Sequence, residues 1–314
     1  MRLDIPKPRT WHLLGLVAAC AGLISVMQFR WRVEDPGYDL VRRLRAFDGG
    51  ERARAADELR EIRPRESRAI APLTELLFDP DPRARKSATG ALMVVVDMSV
   101  EEEVGRIGTA LASALGDPDP AARLEIARTL TYLAHDPKAI PVVLGFAADP
   151  RPETRAEVAS LLGQSGRGDG RALDALFVLL DDGDPLVRQL AVRALGHRAA
   201  FPGLAPEPLL GQIRAAILAM ADDPAPPVRA EVARALGGIG GRQKVEVPDL
   251  LKTLADGDAE VRRASAEALG KLGAGAAVAL PIRETLARSD PDERARRAAI
   301  AACSALAREA DGRP

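Results

Sequence analysis

The sequence predicts an all-α fold, an α-solenoid of about eight helix–turn–helix repeats preceded by one transmembrane helix. Three observations carry this expectation. An uncharged run of nineteen residues lies near the N-terminus, a turn-plus-helix phrase recurs about every 33 residues, and the apolar positions follow helical spacing with no segment reading as a strand. The chain has 314 residues, 47% hydrophobic and 28% charged, enough apolar surface to fold rather than stay disordered.

The elements follow in chain order. Residues 1–10 form a short basic tail carrying Arg2, Lys7 and Arg9. Residues 11–29 read WHLLGLVAACAGLISVMQF. At about 1.5 Å per residue this run just crosses a hydrocarbon core of roughly 30 Å. Trp11 and Trp31 stand at its two ends, where amphipathic rings favour the headgroup region. A cleaved leader needs a small-x-small site after the apolar run, whereas this one ends in the bulky, basic MQFRWRV. Val17-Ala18-Ala19-Cys20 resembles a lipoprotein lipobox, yet nine uncharged, mostly apolar residues follow Cys20 where a lipoprotein turns polar. The expectation is an uncleaved signal-anchor over 11–29, with a juxtamembrane linker at 30–37.

Orientation is not decided by charge, because Arg30, Arg32, Arg42 and Arg43 balance the basic residues on the other side. A short N-terminal tail before a long domain has the form of an anchor that exports its domain. Arginine outnumbers lysine 38 to 6, the coding bias of a GC-rich bacterial genome. The expected location is therefore a single-pass protein of the bacterial inner membrane with its repeats on the periplasmic side.

Residues 38–310 carry the repeat, and 311–314 form a C-terminal tail. One arginine per repeat aligns the phrases: Arg52, Arg85, Arg123, Arg155, Arg188, Arg229, Arg262 and Arg294, at steps of 33, 38, 32, 33, 41, 33 and 32. Seven residues later stand Leu59, Leu92, Leu130, Leu162, Leu195, Leu236 and Leu269, with Ala301 in the eighth place. Four residues before the arginine stand Asp48, Asp81, Asp119, Asp184, Asp258 and Asp290. Arg151 and Ala225 occupy that place in repeats four and six, with Asp149 and Asp223 two residues earlier.

Each position has a local reason. An aspartate before a helix caps its free N–H groups. Pro82, Pro120, Pro185 and Pro291 follow directly, where the first helical turn tolerates a fixed φ and a missing donor. The arginine lies one turn in, within reach of aspartates of its own or the neighbouring turn. Alanine three or four residues on and leucine at seven make one apolar stripe. Gly163, Gly196, Gly237 and Gly270 follow the leucine by one residue and read as helix ends.

The phrase D-P-x-V-R-x-x-A-x-x-A-L-G, carried most fully by Asp184 to Gly196, resembles HEAT repeats. The period near 33 is similar to the short variant named after phycobilisome lyases. This resemblance covers residues 38–310 and implies a right-handed superhelix whose second helices line a concave, partner-holding face. Such repeats serve scaffolds, adaptors and a few enzymes, so the resemblance speaks to fold rather than to function.

The Asp81, Arg85, Asp119, Arg123, Arg155, Asp184, Arg188, Arg229, Asp258 and Arg262 ladder reads as a structural capping device. Its carboxylates are spread one per repeat rather than paired for acid–base work. The candidate partner surface lies two and five residues past the ladder arginine: Glu125/Arg128, Glu157/Ser160, Leu190/Arg193, Glu231/Arg234 and Ala264/Glu267. These are either solvated helix-surface pairs or a mixed-charge docking face. Two longer steps insert Met93 to Glu103 and His197 to Pro208, where Phe201 is a candidate anchor or part of a merely tolerated insertion.

Nothing else converges. His12, His135 and His197 are expected to remain apart, and two cysteines, Cys20 and Cys303, make neither a disulfide scaffold nor a multi-cysteine metal site. The glycines at 168–170 and 273–276 lack the strand a phosphate-binding loop needs. No cofactor and no metal are expected. Net charge is −1 and aromatics are 3%, which disfavours nucleic acid as a partner. The expectation is a non-enzymatic protein–protein scaffold, with protein partners on the concave face and a membrane held by 11–29. A bilin lyase or isomerase is the alternative that the repeat's family name suggests.

Overall fold

The computed structural model describes residues 35–62, 65–165, 169–200, 207–239, 248–272, 284 and 287–310. Among them every regular element is helical and no strand occurs. The expected membrane span at 11–29 lies outside the described residues, and within these no helix is long and apolar enough to cross a membrane.

The chain divides into two compact units, residues 1–129 and 130–314. The first holds α1 (Pro36–Arg43), α2 (Gly49–Leu59), α3 (Ile70–Glu75), α4 (Pro82–Val95) and α5 (Glu101–Ala114). Helix α6 (Pro120–Ala134) contains the boundary. The second unit continues with α7 (Ile140–Leu144), α8 (Pro152–Ser165), α9 (Gly170–Leu179), α10 (Pro185–Ala200), α11 (Glu207–Ala219), α12 (Pro226–Ile239), α13 (Pro248–Leu254), α14 (Ala259–Lys271) and α15 (Glu293–Ala310). Short first helices alternate with longer second helices. The closest packing runs between consecutive second helices: α2 on α4 in the first unit, then α8, α10, α12, α14 and α15 in the second.

The second helices start as local chemistry dictates. Asp81, Asp119, Asp184 and Asp258 accept N–H groups two or three residues on, at 2.8–2.9 Å. Pro82, Pro120 and Pro185 open α4, α6 and α10. The leucines from Leu59 to Leu269 are buried without exception. Burying each such side chain is worth about 1.5–3 kcal/mol.

The ladder arginines bridge adjacent repeats. Each directs Nη1 at the carbonyl six residues back, as Arg85 does to Asp79 and Arg188 to Asp182. Nε and Nη2 grip an aspartate of the following turn in a fork. The pairs Arg52–Asp79, Arg85–Asp117, Arg155–Asp182, Arg188–Asp223, Arg229–Asp256 and Arg262–Asp290 all fall at 2.5–2.9 Å. The gripped aspartate stands six residues before its own ladder arginine, not four, and also accepts the N–H two residues on. Burial works to raise the Asp117 and Asp223 carboxyls, yet Arg85 and Arg188 hold both below the usual aspartate range.

Three sequence assignments change. The last repeat aligns on Arg296 rather than Arg294: Arg296 bonds the carbonyls of Asp290 and Pro291, and Ala301, placed in the leucine register, is exposed. Asp290 is thus a gripped aspartate, Asp292 the cap, and Pro291 precedes the helix instead of opening it. The four glycines are not helix ends either, since Gly163, Gly196, Gly237 and Gly270 lie inside α8, α10, α12 and α14. A Cβ on them would meet Cβ of Ala194, Ala235, Ala268 and Ala302 at 2.7, 2.5, 2.6 and 3.2 Å, so they are notches that admit the next helix. The longer steps are also partly helical: α4 runs to Val95 and α10 to Ala200.

Candidate functional site

Successive second helices repeat the same register, so positions two and five past the ladder arginine fall on one stripe of each. Within each unit clefts open along this stripe. The first unit holds one of about 620 Å³ among α2, α4 and α6, lined by Arg54, Asp57, Ser87, Glu125 and Arg128 at these positions. The second unit holds one of about 360 Å³, where Ser160, Leu190 and Arg193 fill the same places. Another of about 820 Å³ is lined by Glu267, Ala298 and Ala301, which keep the register once the last repeat is counted from Arg296.

The charges on the stripe are coupled between helices. Arg193 of α10 reaches Glu231 of α12 through two bonds of 3.0 and 2.9 Å, and Arg234 adds a third of 3.2 Å. Arg234 then pairs with Glu260, which Arg263 holds at 2.9 Å while also bonding Glu267. Burial pushes the Glu231 carboxyl up, but Arg193 and Arg234 outweigh it and hold the group below the usual glutamate range.

The structure distributes the expected surface residues unequally. Arg193 keeps 55% of its side chain exposed and Glu267 42%, while Arg128 and Arg234 are half-buried. Glu125 and Glu231 are buried beneath arginines, and Ala264 is fully buried, so none of these three presents itself to a partner. Glu157 is half-buried, and Phe201 lies outside the described residues.

The histidines depart from expectation. His135 and His197 line the same 360 Å³ cleft, with Ser160, Gln164 and Arg193 around them. His135 ends α6 in the left-handed region, φ 47°, which turns the chain out of the helix there. Gln164 donates to the Tyr132 hydroxyl at 3.3 Å, fixing one wall. A register count carries the missed signal: Gln164 and His197 both stand nine residues past their ladder arginines, and His135 stands one turn further at twelve. His12 and the glycines at 273–276 lie outside the described residues, while Asp169 of the 168–170 glycine motif caps α9. Cys303 is half-buried. Among the described residues no group of three or more histidine, cysteine, aspartate or glutamate side chains could hold a metal ion.

Helix pairs stacked through an arginine–aspartate ladder, with clefts between their second helices, define a helical-repeat protein. HEAT repeats match residues 108–196 and 213–304, more than half of the chain, and the chain belongs to that family. Two solved structures are similar. An engineered protein is 23% identical with a TM-score of 0.54, over 87% of this chain and 79% of its own. YibA of Escherichia coli is 18% identical with a TM-score of 0.55, over 98% of this chain and 100% of its own. At these identities the likeness concerns the fold. No curated protein matches the sequence.

Proposed function

We propose that this protein is a non-enzymatic interaction scaffold, tethered to a bacterial inner membrane by residues 11–29 with its repeats on the periplasmic side. One observation supports the scaffold reading above the rest: clefts recur at the same register of the second helices in both units. The second unit alone carries two such clefts at one register, which suits an extended protein partner better than a single small substrate. The tether rests on the uncharged run and its flanking tryptophans.

Two experiments test the reading. A photo-crosslinking residue at Ser160 or Lys86, on second helices, is expected to trap a protein partner in cells. The same residue at Arg106, on the first helix α5, is expected to trap none. Crosslinks confined to Arg106 would refute the assignment of the face. Alkaline carbonate extraction with protease treatment of spheroplasts tests the address. Full-length protein retained in membranes and digested from outside is expected; a soluble shortened form would refute the anchor, and a protected domain would refute the orientation.

A further inference from the structure

The exposed aromatic side chains among the described residues are Tyr38, Phe47 and Phe78, all in the first two repeats, those that follow the uncharged run most closely in sequence. Tyr132, Phe146 and Phe177, further along, are half-buried or buried. Phe47 is fully exposed and Phe78 is 60% exposed. Both belong to turns that lead into second helices, Phe47 before α2 and Phe78 before α4. Arg52 joins the two turns: Nη1 donates to the Phe47 carbonyl at 2.7 Å, while Nε and Nη2 hold Asp79, the residue after Phe78. The two phenylalanines therefore stand on adjacent turns at one edge of the first unit.

The turns themselves ask for neither ring. Phe47 stands five residues before Arg52, and every later repeat has proline or glycine in that place, from Pro80 to Pro291. Phe78 stands seven before Arg85, where Gly116, Ala148, Asp181, Asp222, Ala255 and Ser289 serve in the repeats that follow. The charges beside them are already paired. Arg42 meets Asp39 and Arg83 meets Asp81 at 2.9 Å, while Arg45–Glu75 and Arg54–Asp48 stand at 4.0 and 3.7 Å. These pairs leave no excess of either sign, so what the edge offers is apolar.

We infer that Phe47 and Phe78 seat this edge of the first unit in the headgroup region of the bilayer, an inference that rests on the tether reading and adds a second lipid contact to it. From Phe29, where the uncharged run ends, six peptide steps lead to Asp35, at most about 20 Å of extended chain. Helix α1 has eight residues and is about 12 Å long. The connection is thus long enough to pass the whole of α1 and let its far end, with Phe47, meet the bilayer. A short linker raises the effective concentration of the edge at the membrane, so a contact too weak to bind alone is still made. A protein partner fits less well: two phenylalanines bury about 300–500 Å² at most, short of the roughly 800 Å² per partner of a stable interface.

The test uses the full chain in vesicles of phosphatidylcholine alone, with the photo-crosslinking residue p-benzoylphenylalanine replacing Phe47, Phe78, Arg45 or Met98, one at a time. Met98 is 53% exposed but lies beyond the other end of α4, whose 14 residues span about 21 Å. Phe47, Phe78 and Arg45 positions are expected to crosslink lipid, read by mass spectrometry, about fivefold more than the Met98 position. Phe47→Ser/Phe78→Ser is expected to lower the lipid yield at Arg45 about threefold or more, because the apolar surface that holds the edge down is gone. Both changed side chains are exposed, and a parental melting curve would establish that the variant folds. Equal lipid yields at Phe47 and Met98, crosslinks from Phe47 to a second copy of the chain in place of lipid, or an Arg45 yield indifferent to the two serines would each overturn the inference. A chain that floats with the vesicles after alkaline carbonate, yet gives no lipid crosslinks at Phe47, would remove the inference and leave the tether intact. A chain that carbonate strips from the vesicles would remove the tether, and this inference with it.

Discussion

Replacing Gly237 with alanine should force two neighbouring second helices apart. A Cβ at this position lies 2.6 Å from Ala268 Cβ and 2.7 Å from Ala268 Cα. Carbon atoms rest about 3.5–4.0 Å apart, so α12 and α14 must separate by about 1 Å at the contact. Neither obstructing atom can rotate away, because one is backbone and the other is bound directly to it. Overpacking of this kind costs about 1–3 kcal/mol, and the rigid contact places it near the top of that range. The intrinsic helix preference of alanine over glycine returns roughly 1 kcal/mol. The net loss is then about 2 kcal/mol, or about 4–8 °C in melting temperature for a unit of this size. Thermal and urea unfolding followed by far-ultraviolet circular dichroism would measure it. Adding Ala268→Gly reopens the notch and should return the protein close to its parental stability. Gly105→Ala supplies the opposite sign: nothing stands within 4 Å of its Cβ position on α5, so stability should rise by up to about 1 kcal/mol. A Gly237→Ala variant that melts higher than the parent would refute the notch.

The remaining predictions concern the core, the ladder and pH. Leu195 is fully buried, and Leu195→Ala should cost about 2–5 kcal/mol in urea unfolding. Arg188→Ala should cost about 3–5 kcal/mol, because it leaves Asp223, with 3% of its side chain exposed, charged and unpaired. Arg188→Met combined with Asp223→Leu should cost much less in the same assay, since it strands neither charge. The carboxyls of Asp117, Asp182, Asp223, Asp256 and Asp290 are held below their ordinary range in the folded chain. On acidification the unfolded chain takes up these protons first. Their stabilisation is therefore complete above the ordinary aspartate pKa near 4 and is lost as pH falls through the lower folded values. The urea midpoint should hold steady from pH 7 to about 5 and fall steeply below about 4; a midpoint unchanged at pH 3 would contradict the ladder.

What the sequence by itself determined is what depends on neighbours along the chain. Asp81 before Pro82, and Asp184 before Pro185, announce helix starts because a cap bonds N–H groups two or three residues away. The leucines from Leu59 to Leu269 mark the buried stripe because helical period is local. The arginine spacing reveals the repeat, and the places two and five past several of these arginines hold residues that line the clefts.

The tertiary structure decided the contacts between repeats, which join residues about one period apart and follow from how closely two backbones approach. Arg188 has Asp182, Asp184 and Asp223 as candidate partners in sequence; only stacking selects Asp223, 35 residues on, and leaves Asp184 as a cap. A glycine one residue past the leucine is consistent both with a helix end and with a helix crossing. Ala268 pressed against Gly237 settles it, since no local property of that segment records a neighbour's Cβ. Ala301 fits the leucine column equally well on paper; its exposure and the bonds from Arg296 to the Asp290 and Pro291 carbonyls move the last repeat onto Arg296. His135 and His197, 62 residues apart, share a cleft with Ser160 and Gln164 of α8 and Leu190 and Arg193 of α10, an arrangement set by packing rather than by either residue's surroundings in the chain.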